Sequence, residues 1–139
     1  MRVSLSYSEN LHFKAKVREF EEINLDEPES FHGTDCAPSP IEYFLVGIGG
    51  CIGSTFAYCL QLNKIRFKEL GLVVDGKIKH VGPDKRLKLV NISVDILLKL
   101  EDDQNQKKVE KCKSQFLAFC PISEVVSNGV PLTVNLIDN

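Results

Sequence analysis

The sequence predicts antiparallel β-structure covered by one long apolar helix within a single domain, residues 1–139. Two regions alternate apolar and polar side chains in the period of a half-buried strand. Between them, from Tyr43 to Asn63, the chain carries no charge and holds Gly47, Gly49, Gly50, Gly53 and Cys51.

Val3, Leu5 and Tyr7, then Leu11, Phe13, Ala15 and Val17, alternate on either side of the turn-like "SEN" and read as a hairpin. The acidic "EFEEINLDEPE" after it reads as a solvated strand edge and loop, and "DEPESFHGTDCAP" continues as loop. "SPIE" then starts a helix: Ser39 as N-cap, Pro40 at the first helical position, Glu42 placed for a capping box. That helix runs to about Asn63 and is apolar on every side, so its surroundings must be apolar on every side.

A membrane span fits the length, and Gly49 with Gly53 gives a G-x-x-x-G spacing. A protein core fits better, because the alternating strands need a cover and no other segment is long enough to supply it. Helix-interior glycines each cost about 1 kcal/mol relative to alanine. Either backbone packs closely against them, or space is left open beside Cys51.

Downstream, "GLVVDGKIKHVGPDKRLKLVNISVDILLKL" reads as two strands joined at "GPDK", with Val90, Ile92, Val94, Ile96 and Leu98 on one face and a bulge at Asp75–Gly76. After "EDDQNQ" a second helix carries Val109, Cys112 and Phe116, with Cys112 as core. Pro121 begins a third helix that ends near Asn128 and Gly129, which places Cys120 at a helix N-terminus where free N–H groups favour a thiolate. "VPLTVNLID" closes the chain as a strand through Val130, Leu132, Val134 and Leu136.

Seventeen basic against 19 acidic residues give a net charge of −2, with no basic block to attract nucleic acid. The start has no continuous apolar run of a secretory signal, so a cytoplasmic protein is expected. Five cysteines (Cys36, Cys51, Cys59, Cys112, Cys120) without a C-x-x-C pair indicate neither a disulfide framework nor a zinc ribbon, and a small buried hydrophobe is the default for each.

This order of elements, with "PSPIEYFLVGIGGC" and "CPISEVVSNGV", resembles the OsmC/Ohr family of osmotically inducible and organic hydroperoxide resistance proteins over nearly the whole chain. The resemblance implies an α+β fold in an intertwined homodimer, with antiparallel sheets around a long buried central helix and active sites at the subunit interface. It also implies thiol-dependent reduction of organic hydroperoxides: Cys51 attacks the peroxide and becomes a sulfenic acid, Cys120 resolves it as a disulfide, and an external dithiol restores both. No metal, bound cofactor, membrane or nucleic acid is implied. Tyr43, Phe44, Ile48 and Phe56 would form the apolar wall for the substrate. An apolar ligand held in the interface cavity, with redox-inert cysteines, is the alternative.

One part of the family pattern is missing. The hydroperoxide-resistance branch supplies an activating Arg from the first turn and a Glu ten positions before the cysteine, where this chain has "SEN" and Ile41. Arg18 and Glu42 are the nearest substitutes, and each also has a plain structural role open to it. The chain therefore resembles the broader OsmC-like branch.

Overall fold

A computed structural model describes residues 1–101 and 106–137, with the backbone alone at Glu22. Most of the "EDDQNQ" linker lies outside the described residues. The chain forms two compact units, Met1–Gly47 and Ile48–Asn139, and the first helix contributes to both.

In the first unit, β1 (Ser4–Glu9), β2 (His12–Val17) and β3 (Phe20–Leu25) form an antiparallel meander in that order. The expected hairpin is thus three-stranded: Phe20, Ile23 and Leu25 supply the β-propensity, and the pairing runs from Val17–Phe20 to Phe13–Leu25. The acidic stretch is not wholly solvated. Asp26 is fully buried, because its carboxylate accepts hydrogen bonds from the Thr34 hydroxyl (2.6 Å) and from the amides of Thr34 (3.0 Å), Cys36 (3.1 Å) and Glu27 (2.9 Å). A charge count cannot see such a cluster, since its donors come from a loop that the carboxylate itself organises.

The first helix, α1 (Pro40–Leu62), begins as expected. The Ser39 amide donates to Glu42 (2.7 Å) and the Glu42 amide donates to the Ser39 hydroxyl (3.3 Å), which completes a capping box. By length and composition α1 could cross a membrane, and only a third of its most apolar window is buried, so the expected burial on every side is not supplied by this chain alone. In the second unit its covered face is Ile48, Gly49, Ile52, Gly53, Phe56 and Leu60. The two explanations for the glycines both apply, at different positions. A Cβ at Gly49 would lie 2.8 Å from Val74 and one at Gly53 2.9 Å from Leu72, so these two admit the sheet, while Gly47 and Gly50 face open space.

That sheet is the antiparallel pair β4 (Phe67–Val81) and β5 (Arg86–Leu100), turned at Gly82–Lys85 as "GPDK" predicts. Its two irregularities, between Phe67 and Glu69 and between Lys77 and Ile78, are not at Asp75–Gly76. The register slips between Lys77–Asn91 and Ile78–Leu89, which leaves Val90 as the unpaired residue. Past the bulge the faces exchange: Leu89 takes the half-buried side that Ile92, Val94, Ile96 and Leu98 occupy, and Val90 is 44% exposed.

The remaining elements are α2 (Gln106–Gln115), a 3₁₀ turn Phe116–Phe119 and α3 (Pro121–Asn128), which Gly129 ends at φ 75°. The expected C-terminal strand does not form. Val130, Leu132, Val134 and Leu136 are exposed and without regular pairing, Leu136 to 92%. Alternation specifies which face a strand would bury, but a strand forms only where its backbone pairs with a neighbour, and 130–137 pairs with neither sheet.

The Thr34 hydroxyl first, and the Cys36 and Thr34 amides with it, hold the Asp26 carboxyl well below the usual carboxylate range despite burial. A carboxyl depressed in the folded state stabilises the protein above its unfolded value of about 4 and ceases to do so as pH falls. Asp26→Asn should lower the melting temperature at neutral pH and flatten its fall on the acid side, as read by thermal unfolding monitored by circular dichroism. An unchanged acid limb would show that Asp26 does not control it.

Candidate active site

Cys51 sits in the middle of α1, where the helix dipole is spent and its neighbours Gly50 and Ser54 are small and exposed. Its carbonyl oxygen accepts the hydroxyls of Thr55 (2.8 Å) and Ser54 (3.1 Å). Cys120 arrives from the other direction. It is extended (φ −90°, ψ 109°) because a residue before proline is pushed out of the helical region, and Pro121 then opens α3. The two sulfurs meet at 3.4 Å, with Cys51 half-buried and Cys120 2% exposed.

Burial pushes the Cys51 thiol up, and the Cys120 sulfur beside it adds to the rise, while the amide of Ile122 opposes both. Burial also works against charge on Cys120. There the Ser123 amide, the Cys51 thiol, the Ile122 amide and the Ser123 hydroxyl outweigh it, and the Cys120 thiol lies below its ordinary value. The first proton lost by the pair therefore leaves its charge at Cys120, on the free N–H groups of α3, and Cys51 keeps its proton against that sulfur. Ser123 also fixes the approach to α3, its hydroxyl lying 2.9 Å from the carbonyls of both Leu117 and Cys120.

Glu42 is engaged in the capping box, and the Ser39 amide holds its carboxyl below the ordinary value. Arg18 lies in the turn after β2 at φ 54°, its guanidinium 5.3 Å from the centroid of the Phe20 ring. The expected apolar wall is corrected in part, since Ile48 and Phe56 are core residues. An apolar cavity of about 580 Å³ lies further along α1, lined among others by Thr55, Tyr58, Cys59, Leu62, Phe116 and Phe119; neither Cys51 nor Cys120 lines it, and Thr55 and Phe119 are its links to them.

Sequence reasoning also missed a covalent bond. Cys59 and Cys112 form a disulfide across 53 residues with Cα atoms 5.9 Å apart, where each was expected to be a simple core residue. Constraining a loop of that length is worth about 4 kcal/mol in the chain-entropy account. The signal was in the numbering: Cys59 follows Cys51 by eight residues and Cys120 follows Cys112 by eight, as two antiparallel segments paired at both ends require.

The OsmC-like protein family model matches residues 32–135, a span that contains both sulfur pairs. The chain belongs to the OsmC-like family. An uncharacterised protein of Methanocaldococcus jannaschii is 29% identical over 98 residues, which are 70% of this chain and 49% of that one, so the chain spans about half the length of this relative. Among solved structures, an OsmC-like protein from Mycoplasma pneumoniae superposes with a TM-score of 0.76 at 16% identity, covering 91% of this chain and 86% of that one. The organic hydroperoxide resistance protein OhrB of Bacillus subtilis gives 0.61 at 16% identity, with 91% and 90% covered. An organic hydroperoxide resistance protein OsmC from Legionella pneumophila gives 0.66 at 18%, with 92% and 89% covered. At these identities the likeness establishes the α+β fold of the OsmC-like family.

The opposed shifts of the two thiols predict a split titration. In Cys36→Ser protein with Cys59–Cys112 intact, ultraviolet thiolate absorbance should show one equivalent ionising below an ordinary thiol and one above it. For the reduced protein, stability should rise with pH from the depressed Cys120 value to the ordinary thiol value, then fall toward the raised Cys51 value. Two equivalents ionising together near an ordinary thiol would contradict the coupling.

Proposed function

We propose that this protein reduces organic hydroperoxides with Cys51 as the peroxidatic and Cys120 as the resolving thiol, and that a dithiol reductant regenerates the pair. The observation that carries the reading is the 3.4 Å separation of the two sulfurs, one part-accessible and the other at a helix N-terminus. Family membership supports it, as do the organic hydroperoxide resistance proteins of the same fold.

Once the pair has lost one proton, its charge rests at Cys120. Proton transfer from Cys51 to Cys120 gives the Cys51 thiolate, which is the more basic and hence the more nucleophilic of the two. That sulfur attacks the outer peroxide oxygen, the O–O bond breaks, and the leaving alkoxide takes the proton held by Cys120. The Cys120 thiolate then attacks the Cys51 sulfenic acid and expels hydroxide, so that one peroxide becomes one alcohol and two thiols become a disulfide. In this scheme Cys120 supplies the base that an arginine would otherwise make unnecessary, and Arg18 and Glu42 carry no chemical step. No metal or bound cofactor enters.

The apolar cavity supports preference for an alkyl or aryl peroxide over hydrogen peroxide. It also supports the second reading, a stored apolar ligand, which native mass spectrometry of freshly purified protein would detect as an adduct. An intertwined homodimer in the cytoplasm is part of the proposal. The uncovered face of α1, including Val46, Tyr58 and Leu62, and the unpaired 130–137 segment both have apolar surface that a second copy would cover.

Consumption of cumene hydroperoxide with excess dithiol should fall by at least a hundredfold in Cys51→Ser. In Cys120→Ser a single turnover should stop at a dimedone-reactive sulfenic acid. Undiminished turnover by Cys51→Ser would overturn the assignment. Light scattering should give twice the chain mass, and removal of residues 130–139 should weaken the dimer; a monomer at micromolar concentration would contradict this part.

A further inference from the structure

The Cys59–Cys112 disulfide lies outside the chemistry proposed above, and its placement gives it a task. Along the antiparallel seam of α1 against α2 and the 3₁₀ turn come, in order, the Cys59–Cys112 bond, the Phe56–Phe116 ring contact (centroids 5.0 Å) and the Cys51–Cys120 contact. The two sulfur pairs are eight residues apart on each side, about 12 Å along a helix. What holds α2 against α1 is otherwise slight. Of the ten residues of α2 only Val109 and Cys112 are buried, and the exposed remainder includes Lys107, Lys108, Lys111 and Lys113. A helix that short is marginal by itself, so the covalent bond fixes α2 and, through it, the turn that delivers Cys120.

The bond is also built to be opened from one side. Cys112 is wholly buried, whereas Cys59 lines the apolar cavity together with Asn63 and Lys111. Asn63 Nδ2 lies 3.5 Å from the Cys112 sulfur and 3.7 Å from that of Cys59, while donating to the Cys59 carbonyl at 2.9 Å.

We propose that Cys59–Cys112 is a redox-set tether that holds Cys120 on Cys51, and that a small dithiol entering the cavity opens it by attack on the Cys59 sulfur. This rests on the reading of Cys51 and Cys120 as the working pair. The reductant thiolate bonds to Cys59, the Cys59–Cys112 bond breaks, and Cys112 leaves as a thiolate beside the Asn63 N–H. The second reductant thiol then displaces Cys59 and forms the reductant's own disulfide, so two electrons and two protons have passed to the protein. Exchange with the oxidised dithiol closes the tether again. With the tether open, the local concentration of Cys120 at Cys51 drops, and a surplus of reductant slows the reaction it also feeds.

The test is equilibration of wild type and Cys59→Ser/Cys112→Ser in dithiothreitol redox buffers, with thiols alkylated and both disulfides scored by peptide mapping. The equilibrium constant for closing Cys51–Cys120 should be about tenfold smaller in the double variant, about 30 mV in potential, in protein that still unfolds cooperatively. An equal constant in folded protein overturns the tether. If the variant does not fold, the same comparison is read within wild type, between molecules with Cys59–Cys112 open and closed. Brief exposure to glutathione should give the mixed disulfide at Cys59, and an adduct at Cys112 would overturn the direction of attack. Because thiol exchange needs no peroxide, a failure of the peroxidase reading would show only in the hydroperoxide assays and leave these results interpretable.

Discussion

The seam between α1 and the segment α2–Cys120 is the constraint on which the site depends. A thiol in the middle of a helix and a thiol at the start of another meet only if the two segments run antiparallel in a fixed register. One covalent bond and one aromatic contact set that register. On the other side of α1, Gly49 and Gly53 let Val74 and Leu72 of the sheet come within reach of the helix backbone. α1 is thereby held from two sides, while Gly50 and Ser54 beside Cys51 stay uncovered.

Electrostatics then divides labour between two identical functional groups. Both sulfurs lose solvation, but only Cys120 gains the amides at the start of α3 as well as the Cys51 thiol. The sulfur better able to hold charge is the less accessible one, and the more accessible one is the stronger nucleophile once deprotonated. A proton shared over 3.4 Å links the two properties.

Much of this was legible in the sequence, for local reasons. Ser39, Pro40 and Glu42 announce the start of α1, Pro121 and Gly129 bracket α3, and "GPDK" marks the sheet turn, because caps and turns depend on a few adjacent residues. The Cys51–Cys120 pair came from family resemblance rather than from spacing. What failed depends on distant partners. The bulge at Val90 is a matter of cross-strand register, the burial of Asp26 needs Thr34 and Cys36 brought round by a loop, and the 130–137 segment needs an edge to pair with. The Cys59–Cys112 bond is not legible in either cysteine alone, since the repeated spacing of eight is a property of the pairs.

The central claim is that the contact between Cys51 and Cys120 is a reaction coordinate and not merely packing. The most direct measurement is a single turnover: reduced protein, one equivalent of cumene hydroperoxide, rapid acid quench, and peptide mapping of the sulfurs against time. The account predicts that a Cys51–Cys120 disulfide appears at the rate at which peroxide is lost, preceded only by a sulfenic acid at Cys51. Loss of peroxide with the new oxidation elsewhere, or persistence of peroxide with both thiols free, would contradict it.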